Sequence, residues 1–302
     1  MTSARWLHRK GIVLASALAV LGSVVAGPTA ASASVSTTEN RQFNAGHLNI
    51  LHSLSHERFA HDLNLITSRA GIVGLNEVAD RRAFLTDWAA RNGWHFYAPD
   101  PGHARDNALL AKKSMFDVVS RGSVFACDTN GPGEPPPARY TNWVRYQHKA
   151  TGRYVFHLNT HANSHIDNNG HPYDLPRTEC AEKHFRGIRD LADSKRSSGQ
   201  VVVSGDLNVD YVADKRVQYV NFPYVVLDER GSTGALPGLR SNYTIHGVKG
   251  TGTLGDRHID YIYLWKRLPE HQKMWMTDYG IVGGTESDHN AVVANFAIAM
   301  PG

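Results

Sequence analysis

From Arg41 onward the chain alternates short apolar runs of β type with amphipathic helical stretches, and that alternation leaves few folds open to it. The β-type runs are GIVGL at 71–75, NALLA at 107–111, YVFHLNTH at 154–161, VVVSGDL at 201–207 and IDYIYLW at 259–265. Most are continuous in hydropathy, which predicts strands buried on both faces. Between them, Ser55–Arg69 carries Phe59, Leu63 and Ile66 at helical spacing, and Arg82–Asn92 carries Phe84, Leu85, Trp88 and Ala89 ahead of Gly93. Thr178–Ser197 repeats the pattern with Ala181, Phe185, Ile188 and Leu191. Thr129–Pro137 and Asn163–Pro176 read as loops, and no linker rich in Pro, Gly or Ser divides the chain. Residues 34–302 are therefore expected to form a single α/β domain.

The first 33 residues read differently. Arg5, Arg9 and Lys10 precede an apolar run from Ile12 to Val25, followed by Gly27, Pro28 and the small residues Ala30, Ala31, Ser32 and Ala33. This is the pattern of a signal peptide, and it predicts removal of residues 1–33 and a secreted, soluble, monomeric product. The apolar run is shorter than the span of about 20 residues that would hold a helix in a bilayer, so no stable membrane anchor is expected. Export also changes the charge argument. Removing three basic residues from 32 leaves 29 against 28 acidic ones, so a formal charge of +4 becomes +1. Bulk charge therefore does not attract a polyanion, and any nucleic-acid contact must be local. The only cysteines, Cys127 and Cys180, fall in the exported part, where a single disulfide is the default and two free thiols the alternative. Without CxxC or Cys/His ligand spacing, neither a redox centre nor a thiolate zinc site has support.

Carboxylate, carboxamide and imidazole side chains gather at the ends of the β-type runs, where a rigid scaffold hands them to a cleft. In VVVSGDLNVD, Gly205 lets the backbone pass closely, and Asp206 and Asn208, two apart, point to one side. His161 ends YVFHLNTH. A zinc pair with His157 fails because four residues along a strand span about 13 Å. Asp260 opens IDYIYLW and is placed to orient an imidazole. Glu77 follows GIVGL as a hard oxygen ligand. Glu286, Ser287, Asp288 and His289 precede the apolar NAVVANFAI, and an Asp-His pair opening a buried strand is costly unless paired or bound to a ligand.

The order FNxxH (Asn44), GLNEV (Glu77), NTH (His161), GDLN (Asp206, Asn208), IDYI (Asp260) and SDH (Ser287 to His289) resembles the endonuclease/exonuclease/phosphatase superfamily over about Arg41 to Phe296. That group includes pancreatic-type deoxyribonucleases, exonuclease-III-like repair enzymes, bacterial sphingomyelinases and inositol-polyphosphate phosphatases. The resemblance implies a four-layer αββα sandwich, with two mixed sheets face to face and flanked by helices. It also implies that Asn44 and Glu77, with Asp288 close by, hold Mg²⁺, with Mn²⁺ or Ca²⁺ as substitutes. His289, oriented by Asp260, would take a proton from water, and Asp206 and Asn208 would position the nucleophile and a phosphoryl oxygen. His161 would stabilise the transition state or protonate the leaving oxygen, and Arg139 in RYTNWVRY would contact phosphate. Asn76 and Leu207 depart from the usual Gln and Phe, and Ala79 stands where the deoxyribonucleases place an Arg. Between Trp265 and SDH, the only aromatic-rich stretch is MWM at 274–276, which reads as strand rather than as a membrane probe. The expected substrate is thus a phosphodiester, with nucleic acid first, a phospholipid head group second and a phosphomonoester third. A non-catalytic binding module on the same fold is the alternative of a different class.

Overall fold

The computed structural model describes residues 40–99, 103–129, 138–173, 175–228, 238–267 and 271–300. The leader expected over residues 1–33 lies outside them, as does most of the 129–137 loop. The described residues all fall in the compact unit that runs from Thr38 to Gly302.

The chain opens with β1 (Asn40–Asn49), α1 (His56–Thr67), β2 (Ile72–Asn76), α2 (Arg82–Arg91), β3 (Trp94–Tyr97) and β4 (Ala108–Lys112). It continues through β5 (Phe116–Cys127), β6 (Arg139–His148), β7 (Tyr154–His161), α3 (Pro176–Lys195) and β8 (Gln200–Asp206). The short helices α4 (Tyr211–Val217) and α5 (Pro223–Val226) lead to β9 (Gly238–Ser241), α6 (Asn242–His246), β10 (Asp260–Lys266), β11 (Met274–Val282) and β12 (Ala291–Ala299).

Two six-stranded sheets result. The first has the order β11-β12-β1-β2-β4-β3 and the second β5-β6-β7-β8-β10-β9. Each is mixed, with β1 parallel to β2 and β7 parallel to β8 among otherwise antiparallel neighbours. Strand parity sorts the side chains into layers. Odd residues of β1 such as Phe43 and Ala45 join Leu158, Val203, Tyr261 and Phe296 in one large core, while Leu48 and Ile50 join Phe59, Leu63, Leu85 and Trp88 beneath α1 and α2. On the far side, α3 sets His184 against Thr160 and Thr141, 2.6 and 3.2 Å away. The architecture is the expected helix–sheet–sheet–helix sandwich.

Carboxamides hold the sheets in register where packing alone would let them slide. Asn159 of β7 donates to the carbonyls of Leu75 and Ala108 in the other sheet, both at 2.9 Å. Gly74 makes that approach feasible, since a Cβ there would overlap Ser204 Oγ and Asn159 Oδ1. Cys127 at the end of β5 is bonded to Cys180 in α3, with Cα atoms 5.2 Å apart.

Candidate active site

The sheet register assembles a row of functional groups at one end of the sandwich. His161 ends β7 beside Asp206, the last residue of β8, and Asp206 lies opposite Asp260, the first residue of β10. In the first sheet Asn49 ends β1 beside Asn76, which ends β2, and Glu77 follows. Asn76 joins the two rows, because its Oδ1 accepts the Asp206 amide at 3.1 Å.

Two imidazoles flank Asp206 in matching fashion. His161 turns Nδ1 to Asp106 at 3.2 Å and Nε2 to Asp206 Oδ2 at 3.6 Å. His289 turns Nδ1 to Asp260 at 2.8 Å and Nε2 to the same Asp206 oxygen at 3.9 Å. Ligand atoms of Asp206, Asp260 and His289 all lie within 4.8 Å of one another. The charges respond accordingly. Burial opposes the charge on His289, but Asp260 first, then Asp206 and Asp288, outweigh it and raise the imidazole to about 10. Burial likewise opposes ionisation of Asp260, yet His289 and His47 hold it well below the ordinary carboxylate range. Asp206 goes the other way, raised by burial and then by the neighbouring Asp260 charge. Asp106 is lowered, since the hydrogen bond and charge of His161 and the Arg139 guanidinium overcome its burial.

The opposite wall carries oxygen ligands. Asn49 Nδ2 donates to Glu77 Oε1 at 3.1 Å and to Asp206 Oδ2 at 3.0 Å, which leaves Asn49 Oδ1 buried with no hydrogen-bond partner among the described residues. An orphaned buried carbonyl beside a carboxylate is what a hard divalent cation completes, so the donor set fits Mg²⁺ and its relatives better than zinc. Burial opposes the Glu77 charge, but His161, His52 and Asn49 lower its pKa on balance, which favours the ionised ligand. Glu77 has φ +61° and Asn208 φ +53°. The left-handed region costs a non-glycine residue on the order of 1 kcal/mol, less for Asn, and such strain concentrates at functional sites.

The remaining residues frame this centre. Asn208 donates its amide N–H to Asp206 Oδ1 at 2.8 Å and its side chain to the Ala162 carbonyl at 3.1 Å. Arg139 donates to Asn163 and to the His161 carbonyl, within the field of Asp106, Asp206 and Glu77. Asp288 is exposed and accepts from Ser287 at 3.3 Å. The loop that carries it is anchored twice: Ser287 bonds Leu51 N and Asn49 O, and Asp62 accepts the amides of Glu286 and Ser287.

One expected ligand is misplaced. Asn44 points to the Arg69 carbonyl, 3.0 Å away, and does not reach the centre. Five residues separate it from Asn49, about 17 Å along the strand, and the odd separation puts the two on opposite faces. Asn49, on the inter-sheet face at the strand end, is the β1 carboxamide that meets Glu77 and Asp206. The sequence reading also passed over Asp106 and His47, and both meet an expected residue only through tertiary structure. HLN at 47–49 was the available signal, because it puts His47 and Asn49 on one face at a strand end.

The model for the Endonuclease/Exonuclease/phosphatase family matches residues 42–289. Comparison with curated protein sequences finds no match. Among solved structures, the human Nocturnin catalytic domain with bound sulfate superposes with a TM-score of 0.62 at 14% identity, covering 85% of this chain and 95% of that one. D. rerio TDP2, complexed with single strand DNA product, gives 0.61 at 13% identity, covering 84% and 98%. The Bacteroides thetaiotaomicron mannosyl-6-phosphatase gives 0.57 at 16% identity, covering 84% and 98%. At these identities the likeness is one of fold.

Proposed function

Since the chain belongs to the endonuclease/exonuclease/phosphatase family, whose members hydrolyse phosphoester bonds, we propose that it is a secreted, divalent-metal-dependent phosphodiesterase that cleaves nucleic acid by in-line attack of water. The observation that carries this reading is the pair of imidazoles on either side of Asp206, each backed through Nδ1 by a carboxylate. A phosphodiester needs one group to take a proton from the nucleophile and another to give one to the leaving oxygen. Two backed imidazoles whose Nε2 atoms turn to the space beside Asp206 supply both.

His289 is the proposed base. Its Nε2 faces the space beside Asp206, and Asp260 stabilises the imidazolium that forms once water gives up its proton. Asp260 and the other neighbouring carboxylates raise this imidazole, which strengthens it as a proton acceptor. His161, backed by Asp106, is the proposed acid for the leaving oxygen. Asp206 orients the attacking water, while Asn208 and Arg139 contact phosphoryl oxygens. Asn49 and Glu77, with Asp288 at the rim, would hold the cation, whose chemistry when bound is to neutralise charge on a phosphoryl oxygen.

Secretion is proposed from the 1–33 pattern, and the Cys127–Cys180 bond agrees with an oxidising compartment. Among the described residues no helix is long and apolar enough to cross a membrane. The deciding experiment is a panel of duplex DNA, single-stranded DNA, RNA, sphingomyelin and a simple phosphomonoester, run on residues 34–302 with Mg²⁺ and with chelator. Magnesium-dependent cleavage of a nucleic acid supports the proposal. Cleavage of sphingomyelin or of the monoester alone would reassign the substrate.

A further inference from the structure

Asp260 has two carboxylate oxygens, and the fold supplies a donor to each. Oδ2 faces His289 Nδ1 at 2.8 Å, and Oδ1 faces His47 Nε2 at 3.0 Å. Both Asp260 and His47 are fully buried, so bulk water reaches neither oxygen, and a bare one would cost about 1–3 kcal/mol. The two donors come from different places. His289 precedes β12, whereas His47 lies within β1, in the sheet opposite Asp260, so the His47 bond crosses the sandwich. The backbone of Asp260 is already pinned, with its N–H on Thr253 Oγ1 at 3.2 Å and its carbonyl accepting from Tyr243 Oη at 2.7 Å. Rotation of the carboxylate about its own bond is the freedom left, and a donor to Oδ1 removes it.

We propose that His47 is a positioning residue: its Nε2–H fixes the plane of the Asp260 carboxylate, which in turn aims His289 at Asp206 and the substrate. The inference rests on the catalytic reading of Asp260 and His289. It requires a proton on His47 Nε2 and asks nothing of Nδ1. In the structure that nitrogen is buried and meets no hydrogen-bond partner among the described residues. A purely structural histidine would work in either tautomer that satisfied its neighbours. Among the described residues one polar group hydrogen-bonds this ring, the Asp260 carboxylate, which accepts.

The test compares His47→Leu, which removes the donor, with His47→Gln, which keeps an N–H at similar reach. Each is made alone and together with Asp260→Asn and assayed on a phosphodiester with Mg²⁺. A misaimed base loses on the order of 10- to 100-fold in rate. His47→Leu should show that loss in kcat with KM within about twofold, and His47→Gln should recover most of it. In the Asp260→Asn background His47→Leu should add nothing. A second readout needs neither turnover nor metal: long-range ¹H–¹⁵N spectra of the unmodified protein report the His47 tautomer, and a low-field ring N–H of His289 should shift in His47→Leu. A bare Nε2 on His47 overturns the inference even if His47→Leu fails to fold. Wild-type kcat in His47→Leu beside an inactive Asp260→Asn overturns it too, and leaves the catalytic reading standing. Wild-type rates in Asp260→Asn and His289→Ala would instead overturn that reading.

Discussion

Asp206 is the residue on which both halves of the site converge, through His161, His289 and Asn49. If the two imidazoles are acid and base, His161→Ala and His289→Ala should each lower kcat by about 10²- to 10⁴-fold with little change in KM. The double variant should lose less than the product of the two, because groups acting as a unit are not additive. Steady-state kinetics on one diester decides this, and near-wild-type rates in both singles would remove the assignment. The wall proposed to hold the cation has its own test in the two asparagines of β1. Asn49→Ala should raise the Mg²⁺ concentration needed for half-activity by at least about tenfold. Asn44→Ala should leave it unchanged, since that side chain donates to the Arg69 carbonyl on the other face of the strand. An activity loss confined to Asn44→Ala would restore the earlier ligand assignment.

At the level of elements, the Cys127–Cys180 bond and the glycines at the sheet contact make separate contributions. The bond closes a loop across a sequence separation of 53, worth about 4 kcal/mol in the chain-entropy account, so the double Ser variant should lose about 2–4 kcal/mol in urea unfolding without losing the site. Gly74→Ala should cost about 1–3 kcal/mol by pushing Ser204 and Asn159 away from the facing sheet. Unchanged urea midpoints would contradict either statement. The elements that were legible in sequence are those whose burial is uniform. The runs that became β2, β4, β7, β8 and β10, and the helical stretches that became α1, α2 and α3, lie within a few residues of their expected bounds. β5 escaped notice because it is an edge strand, mostly exposed along FDVVSRGSVFAC, and so carries no hydrophobic period. β1 was hidden for the opposite reason. Its inner face carries His47 and Asn49 for the site, and its helix-facing side carries Gly46 for close packing on Ile66, so it reads as polar and glycine-bearing. The site was legible where a polar residue ended an apolar run, as at Asp206 and His161. It was not legible where the partner, like Asp106, came from a short 3₁₀ turn whose position is set by Asn142 holding Ala104 and Asn107.

For the whole molecule, buried titratable groups set how stability varies with pH. His157 and His184 are fully buried and lowered to about 3, so the native state leaves them neutral while the unfolded chain protonates them below about 6.5. Their stabilisation is fully present above pH 6.5 and is lost as pH falls toward 3, by up to about 1.4 kcal/mol per pH unit for each. Asp214 acts with the opposite sign. Burial, and then nearby Asp167, Asp228 and Asp210, raise it to about 8, so it is neutral in the fold, and it costs stability as pH rises from about 3.8 to 8. Asp214→Asn should therefore unfold at higher urea than wild type at pH 8 and gain little at pH 4; equal gains at both would contradict the assignment. In the function proposed above, a cation-dependent phosphodiester hydrolase works between the strand ends of the two sheets. The most direct measurement is the rate of DNA cleavage by residues 34–302 in excess Mg²⁺, in excess chelator, and for His289→Ala in Mg²⁺. Turnover is expected in the first and a loss of at least about 10²-fold in the other two. Cleavage that persists in chelator, or in His289→Ala at the wild-type rate, would contradict it.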